Sequence, residues 1–347
     1  METLRLRVIP GHLNDAESQV AMETAAAILR RGGTVALPTE TVYGLGANAL
    51  DARAVAAIFE AKGRPGWDPL IVHVADEAML AEVVAEVPES ARRLIAAFWP
   101  GPLTLLLPRS SRVPDAVTAG RPLVGVRMPA HPVALEVIRR AGVPVAAPSA
   151  NRFGHTSPTT AAHVLDDEDG LDGRIDAVLD AGPTEVGVES TVLDPNQSPM
   201  VIYRPGAITL EQIQAVAGAV ALFHETPELS EMPPEALPSP GVGLRHYAPR
   251  ARLILVDGAS GRMGELAMDF LGRRVGLMLP TGWARLGGAG YEVFDWGRWN
   301  QPEELAQRLF AGLRELDGRG CEVILCPVPA GEGIAEAIRD RLRKAAG

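Results

Sequence analysis

Short apolar runs alternate with stretches of helical periodicity along most of the chain, and this pattern is typical of an α/β protein. Before residue 218 the chain opens with alternating apolar and charged residues, which predict a first strand. Further strands are predicted at residues 34–38, 69–74, 103–107, 122–126, 143–147, 175–180, 190–194 and 200–204. Between them, amphipathic stretches predict helices at residues 15–31, 51–61 and 132–141. Together these elements predict a large α/β domain.

Two polar pairs predict where later helices begin. Ser157 followed by Pro158 is a start signal for the next helix. Thr209 with Gln212 forms a capping box for the helix that closes this part of the chain.

The chain after residue 250 has a more regular alternation. Strands are predicted at residues 252–257, 274–280, 291–294 and 322–326, with helices between them at 301–316 and after them at 333–345. Such alternation predicts a smaller, doubly wound parallel sheet. Residues 225–240 hold five prolines, four glutamates and no basic residue, which is typical of an extended linker. We therefore predict a catalytic domain at 1–217, a proline-rich linker and lid at 218–250, and a second domain at 251–347.

Composition narrows the class of protein. Hydrophobic residues make up 47% of the 347 positions and charged residues 22%, which suits a globular protein and excludes a largely disordered chain. No apolar run reaches the length of a membrane span, and the N-terminus lacks the pattern of a secretion signal, so we expect a cytoplasmic protein without a membrane partner. Cys321 and Cys326 lie five positions apart in the extended segment GCEVILCPVP, too far apart for a disulfide, and we expect buried thiols.

Charge is unevenly distributed. The net charge is −10, and residues 1–217 carry 26 acidic against 18 basic residues, which argues against a simple nucleic-acid-binding surface. The chain has 31 arginines but only two lysines, Lys62 and Lys344. An internal lysine in such a composition is a candidate for a specific role.

Most common catalytic signatures are absent from the sequence. It contains no phosphate-binding loop of the G-x-x-x-x-G-K-[ST] type, no G-x-S-x-G elbow and no H-E-x-x-H, and its histidines lack metal-ligand spacing. Gly44–Ala49 matches a dinucleotide fingerprint in form, but it follows its strand too late and lacks the acidic residue expected about 20 positions later. A dedicated metal site and a dinucleotide site are therefore not favoured.

Polar residues instead cluster where predicted strands end. Residues 38–46, PTETVYGLG, place three hydroxyls and a glutamate after a buried strand, at the edge where open α/β sheets bind ligands. Lys62 and Arg64 follow a helix, where they could bind phosphate or merely complement the helix dipole. His73, taken alone, is more typical of a buried core histidine.

Three later strand ends carry similar groups. Arg127 could bind a carboxylate or phosphate, or form a structural ion pair. Ser149, Asn151 and Ser157 form a polar loop that suits an anion, and Ser190 and Arg204 add a hydroxyl and a cation. Hydroxyls and cations without an obvious base or nucleophile favour phosphoryl or adenylyl transfer over acyl transfer.

These segments, in this order, resemble the YrdC-like family of threonylcarbamoyl-AMP synthases. The motifs are GGTVALPTETVYGLG, KGRP-x-x-x-PL-x-VH, WPGPLTLLL, VGVRMP, APSAN-x-x-G-x-x-SPT, ESTV-x-D and RPG. They span residues 5–215, and the segment SPGVGLRHYAP with the α/β tail resembles the longer, two-domain members. The resemblance implies a twisted open mixed sheet with flanking helices for the first domain.

The resemblance also implies a reaction. L-Threonine, bicarbonate (or carbon dioxide) and ATP would give threonylcarbamoyl-adenylate and pyrophosphate, with Mg²⁺ carried by the nucleotide. Other proteins would then transfer the threonylcarbamoyl group to tRNA, and a weak direct contact with tRNA is compatible with this role.

Family roles can be carried over to matching positions. The threonine pocket would comprise Thr41, His73, Arg127, Ala147 and Ser190. The nucleotide side would comprise Lys62, Arg64, Asp68, Leu123, Ser149, Asn151, Ser157, Arg204 and Tyr247. Lys62 and Arg64 would be the catalytic cations, and residues 241–250 would form a lid over the nucleotide.

The sequence departs from the family pattern in three places. Asp68 stands where asparagine is usual, Leu123 replaces a usual threonine, and Gly243 and Leu244 replace a common lysine and tyrosine.

Two other functions remain as alternatives. The first is a non-catalytic protein that binds double-stranded RNA or tRNA, which the acidic first domain disfavours. The second is a carbamoyl transferase of the hydrogenase-maturation type, but the chain lacks the length and the cysteines for the additional modules of that class.

Overall fold

The computed structural model describes residues 2–9, 11–223, 246–257, 260–270, 272–283 and 291–347. The strands of the first part are β1 Leu4–Arg7, β2 Val35–Leu37, β3 Gly44–Asn48, β4 Ile71–His73, β5 Leu103–Pro108, β6 Leu123–Arg127, β7 Val145–Ala146, β8 Ala177–Asp180, β9 Thr191–Asp194, β10 Met200–Arg204 and β11 Val220–Leu222. Its helices are α1 Ala16–Arg30, α2 Ala52–Lys62, α3 Glu77–Val83, α4 Glu89–Phe98, α5 Asp115–Thr118, α6 Pro132–Ala141, α7 Ala161–Val164 and α8 Leu210–Ala217.

These strands form one mixed sheet in the order β1-β8-β2-β3-β7-β4-β6-β5-β9-β10-β11. Strand β4 runs parallel to β6, whereas β3 and β7 run antiparallel to their neighbours. The predicted mixed sheet with flanking helices is therefore confirmed. Fully buried apolar side chains of helices and strands, such as Leu29, Ile58 and Leu103, form its core.

Local sequence explains where the main helices begin and end. The Asp15 carboxylate accepts a hydrogen bond from the Ser18 amide at 2.9 Å and caps α1, close to the predicted start of this helix. Asp51 caps α2 in the same way. Gly63, at φ 62°, ends α2 in the left-handed conformation that glycine adopts without strain, so the chain turns directly after Lys62. The capping box of Thr209 and Gln212 on α8 is also confirmed.

The second part has its own sheet. Strands β12 Arg252–Val256, β13 Val275–Pro280, β14 Tyr291–Gly297 and β15 Val323–Pro327 are all parallel, in the order β12-β15-β13-β14. Helices α9 Ser260–Met268, α10 Pro302–Gly318 and α11 Ile334–Ala346 alternate with them. The smaller parallel α/β unit is thus confirmed. Cys321 and Cys326 are both free thiols and buried.

Two local predictions were wrong or incomplete, and the sequence pattern missed strand β3. Ser157 does not cap a helix: α7 begins at Ala161 with Thr160 as its cap, because the Ser157 hydroxyl donates to Glu189 instead. The segment with the dinucleotide-like spacing is strand β3, antiparallel to β2, so it cannot open a nucleotide-binding helix.

Strand β11 lies at the start of the predicted linker. Its apolar residues pair with β10, so this stretch of the chain belongs to the first sheet. The proline-rich residues 225–240 and the first half of the predicted lid lie outside the described residues.

The two parts share a hydrophobic cluster. Val42 and Val188 from the first part pack with Tyr247, Leu305 and Phe310. Within the described ranges, none of the helices combines the length and apolar character needed to cross a membrane.

Candidate active site

A cleft of about 600 Å³, including its open mouth, lies where several strands of the large sheet end. Its lining comes from residues near the ends of β2, β4, β6, β7, β9 and β10 and from the segment before β12. The lining residues are Thr39, Thr41, Val42, Gly44, Arg64, Pro69, Ile71, His73, Arg127, Ala147, Pro148, Ser149, Glu189, Ser190, Arg204, His246 and Tyr247.

Arg127, at the end of β6, is held by three side chains. Its Nε donates to Nε2 of His73 at 3.0 Å, Nη1 to Oε1 of Glu40 at 3.1 Å, and Nη2 to Oγ1 of Thr41 at 3.2 Å. A guanidinium carries five N–H hydrogens, so two remain for a ligand. Arg127 therefore forms a structural ion pair with Glu40 and also lines the cleft, so both roles expected from the sequence occur together.

His73 is the register partner of Arg127 on the adjacent parallel strand β4. Burial, reinforced by the nearby Arg127 charge, holds the pKa of His73 well below its usual value of 6.5. The ring is therefore neutral and accepts through Nε2. It is a buried histidine and also part of the cleft wall.

The opposite wall is built from Ser190 and Arg204. Arg204, at the end of β10, donates from Nε to the Ser190 carbonyl at 3.0 Å and from Nη2 to the Ser190 hydroxyl at 3.1 Å. That hydroxyl is also 2.8 Å from Oγ1 of Thr104. Among the described residues Arg204 forms no ion pair, so its charge is available to an anion in the cleft.

Lys62 lies behind this wall. Its Nζ donates to the Ser149 carbonyl at 2.6 Å and to the Asn151 carbonyl at 2.5 Å, and the residue is only 3% exposed. Burial, together with the charge of Arg64, holds its pKa well below the usual value. Lys62 thus fixes the loop that carries Ser149 into the cleft, and it does not itself line the space.

Arg64 reaches the cleft but is already paired. Its Nη2 lies 2.9 Å from Oδ2 of Asp68 and also donates to the Pro69 carbonyl at 2.9 Å. Its guanidinium carbon is 5.8 Å from the centre of the Phe153 ring. Burial raises the pKa of Asp68 above its usual value, while Arg64 opposes that shift.

Nine of the residues assigned from the family pattern line the cleft. They are Thr41, Arg64, His73, Arg127, Ala147, Ser149, Ser190, Arg204 and Tyr247. Five others do not line it: Lys62, Asp68, Leu123, Asn151 and Ser157. Asn151 donates to the carbonyls of Arg152 and His155 and so shapes its own loop.

Tyr247 closes one side of the cleft. It has a φ of 65°, which is uncommon for a residue other than glycine, and is 2% exposed. Its ring packs against Phe310 at 5.7 Å and His246 at 4.3 Å. Burial, with the nearby charge of Glu189, raises its pKa to about 12. The described end of the predicted lid therefore contacts both parts of the chain.

Several contributors were not among the predicted site residues. Thr39, Glu189 and His246 line the cleft, and Glu40 lies behind it. Thr39 and Glu189 adjoin assigned residues in the motifs PTET and ESTV, so their position was a usable signal. Arg341 from α11 forms an ion pair with Glu189 at 2.7 Å. It had no sequence signal because 152 positions separate the two.

Each carboxylate at the cleft, among the residues that the structure describes, is paired with an arginine. Glu40 faces Arg127, Asp68 faces Arg64 and Glu189 faces Arg341. In the described part of the chain, no group of three or more His, Cys, Asp or Glu side chains could hold a metal ion.

Two family models match the chain and together cover most of it. The model described as telomere recombination, for the Sua5, YciO and YrdC proteins, matches residues 27–206. The model described as the threonylcarbamoyl-AMP synthase C-terminal domain matches residues 208–347. A threonylcarbamoyl-AMP synthase of Bacillus subtilis is 45% identical over 351 residues, covering 100% of this chain and 99% of the relative.

The chain belongs to the threonylcarbamoyl-AMP synthase family. A second synthase, from Pyrococcus abyssi, is 44% identical and covers 93% of both chains. The crystal structure of P. abyssi Sua5 complexed with L-threonine superposes with a TM-score of 0.87 at 41% identity, covering 100% of this chain and 98% of that one. Family membership confirms the predicted synthase over the RNA-binding alternative.

Proposed function

We propose that the cleft binds L-threonine on the side of Arg127. Thr41, His73, Ala147 and Ser190 would surround the amino acid. Arg127 would bind the carboxylate with its two remaining N–H hydrogens, since three neighbouring acceptors already fix its plane. This preorganised guanidinium is the single observation that best supports the proposal, because a carboxylate needs a planar donor pair at a fixed position.

ATP would occupy the side of Arg64, Ser149, Arg204 and Tyr247. Lys62 would act through the Ser149 loop that it holds. The other predicted nucleotide residues, Asp68, Leu123, Asn151 and Ser157, would support this side without lining it. Arg204 would hold a phosphate, because its charge has no carboxylate partner in the described structure.

The proposed reaction joins the amino acid on one side of the cleft to the nucleotide on the other. The amine of threonine captures carbon dioxide as a carbamate and loses a proton. A carbamate oxygen then attacks the α-phosphorus of ATP, and the bond to the bridging oxygen breaks, releasing pyrophosphate. The cations at the strand ends would stabilise the charge that develops on the phosphates. Tyr247 and the buried wall around it would limit the access of water to the adenylate.

Magnesium would enter with the nucleotide. The carboxylates at the cleft each face an arginine, which fits a cation held by phosphate oxygens better than one held by protein ligands. The metal would neutralise phosphate charge. The adenylate would then pass to proteins that transfer its threonylcarbamoyl group to tRNA.

Calorimetric titration with L-threonine tests the amino-acid half. The wild-type chain should bind L-threonine, and Arg127→Met should lose at least about 1.4 kcal/mol of binding free energy, a factor of ten in Kd. Arg139→Met, an exposed change on helix α6, serves as the matched control. Equal affinity in wild type and Arg127→Met would contradict the proposed carboxylate site.

A further inference from the structure

Arg341, on the last helix, reaches from the second part of the chain into the wall of the cleft. Its side chain is fully buried. Nε donates to Oε2 of Glu189 at 2.7 Å, and Nη2 donates to the Pro205 carbonyl at 3.1 Å. Its guanidinium carbon lies 5.2 Å from the centre of the Tyr247 ring. The C-terminal unit thus contacts the strand ends that carry Ser190 and Arg204.

Glu189 is the residue through which this contact reaches the cleft. It lines the cleft and is 6% exposed. Its two carboxylate oxygens have different partners: Oε2 accepts from Arg341, and Oε1 accepts from the Ser157 hydroxyl. The three side chains form a connected, buried row from α11 to the loop before α7.

The charge of Glu189 is unfavourable for the proposed ligand. A carboxylate in the wall of a site that holds a triphosphate repels it, and the repulsion is strong where water is excluded. Arg341 offsets this charge. Its guanidinium also pairs with Asp340, and Asp340 is in turn paired with Lys344 at 2.7 Å, so the two cations balance the two carboxylates. On the nucleotide side Arg64 is likewise paired with Asp68, which leaves Lys62 and Arg204 as the cations without a carboxylate partner in the described structure.

We propose that Arg341 is a positioning residue of the active site, contributed by the C-terminal unit. It neutralises Glu189 and fixes its orientation, so that Glu189 holds Ser157 without weakening ATP binding. The inference rests on the proposed ATP side of the cleft. The C-terminal unit would then do more than support the first part of the chain, because without Arg341 the cleft would contain an uncompensated anion.

The alternative is that the pair of Arg341 and Glu189 is only a brace, meaning that it holds the two parts of the chain together and has no effect on the ligand through its charge. The two explanations predict different effects of the substitutions on ligand affinity. A brace predicts that removing either partner loosens the site and weakens every ligand. The electrostatic role predicts opposite effects of the two changes on ATP and little effect on threonine, which binds on the side of Arg127.

The test measures Kd for ATP and for L-threonine in the full-length chain by titration calorimetry, with the melting temperature of each variant. The variants are Arg341→Met, Glu189→Gln and the double change, and Arg343→Met on the exposed side of the same helix is the control. Arg341→Met should weaken ATP by about tenfold or more, because a carboxylate then faces the phosphates unpaired. Its threonine affinity should change by less than about twofold.

Glu189→Gln should bind ATP at least as tightly as wild type, and the double variant should return to within about threefold of it. If Arg341→Met does not fold, Glu189→Gln alone decides the question. Loss of ATP affinity in Glu189→Gln, or equal losses of ATP and threonine affinity in Arg341→Met, would overturn the inference and leave a brace. Failure of the wild-type chain to bind ATP would instead refute the proposed function.

Discussion

The Nε hydrogen of Arg127 is donated to Nε2 of His73 across 3.0 Å, between register partners on two parallel strands. The contact requires a neutral imidazole with its hydrogen on Nδ1. Protonation of His73 would replace the acceptor with a second donor facing a cation. The threonine side of the cleft therefore depends on keeping this ring uncharged.

This dependence predicts that acid destabilises the fold. Burial lowers the pKa of His73, His163 and His246 below 6.5, to about 4 for His163. Above pH 6.5 the folded and unfolded chains bind equal numbers of protons at these rings. Below it only the unfolded chain gains them, so stability falls as pH drops from 6.5 toward the folded values.

Urea denaturation from about pH 8 to about pH 5 should give a free energy of unfolding that declines below pH 6.5, by at most about 1.4 kcal/mol per pH unit for each histidine. His163→Gln, outside the cleft, should reduce the slope. A free energy that stays constant over this range would contradict the buried neutral state of these rings.

Asp68→Asn is predicted to tighten ATP binding. Asp68 is buried 2.9 Å from Arg64, and its carboxylate offsets the positive charge of Arg64. Removing the carboxylate should lower the KM for ATP several-fold, roughly 1 kcal/mol, and leave the KM for threonine unchanged. The exposed Glu60→Gln on α2 is the control. An unchanged or higher KM for ATP in Asp68→Asn would show that the pair is needed as it stands.

Lys62→Met is predicted to nearly abolish turnover. The change keeps the side-chain length but leaves the carbonyls of Ser149 and Asn151 without their buried donor, so the loop that presents Ser149 loses its anchor. We expect kcat/KM for ATP to fall at least about a hundredfold, about 2.7 kcal/mol. Arg53→Met, exposed on the same helix, should retain the wild-type value. Wild-type turnover in Lys62→Met would refute this role.

Gly187→Ala is predicted to disturb the contact between the two parts of the chain. Gly187 has a φ of 79°, and an added Cβ would lie 2.4 Å from the Cα of Gln307 on α10. Gly120 has a similar φ of 75° with no atom within 4 Å of the added Cβ, so Gly120→Ala isolates the backbone strain. Both should lose about 1 kcal/mol or more from strain, and Gly187→Ala should lose more. Stability would be measured by urea denaturation. Equal losses in the two variants would mean that the close contact with Gln307 does not affect the free energy of unfolding.

Most of the fold followed from local pattern. Apolar runs and the capping box of Thr209 and Gln212 located strands and helices, because these signals act over a few residues. Gly44–Asn48 was missed as a strand because its small residues lack the apolar alternation, and pairing with β2 and β7 decides its state. The Ser157 cap failed because a distant carboxylate, Glu189, took the hydroxyl.

The candidate site was predictable where its residues belong to family motifs, as for Thr41 and Arg127. The pairing of Glu189 with Arg341 was not predictable, because it depends on how two sheets pack and not on spacing along the chain. Lys62 illustrates an intermediate case. Its rarity marked it as special, but only the structure shows it bound to loop carbonyls behind the cleft.

We propose that one cleft joins threonine, a carbon dioxide unit and ATP. Pyrophosphate release by the full-length chain, measured with each substrate omitted in turn, tests it most directly. Pyrophosphate should be released only when L-threonine, bicarbonate and ATP with Mg²⁺ are all present, and release should be almost completely lost in Lys62→Met. Equal pyrophosphate release without threonine would contradict it.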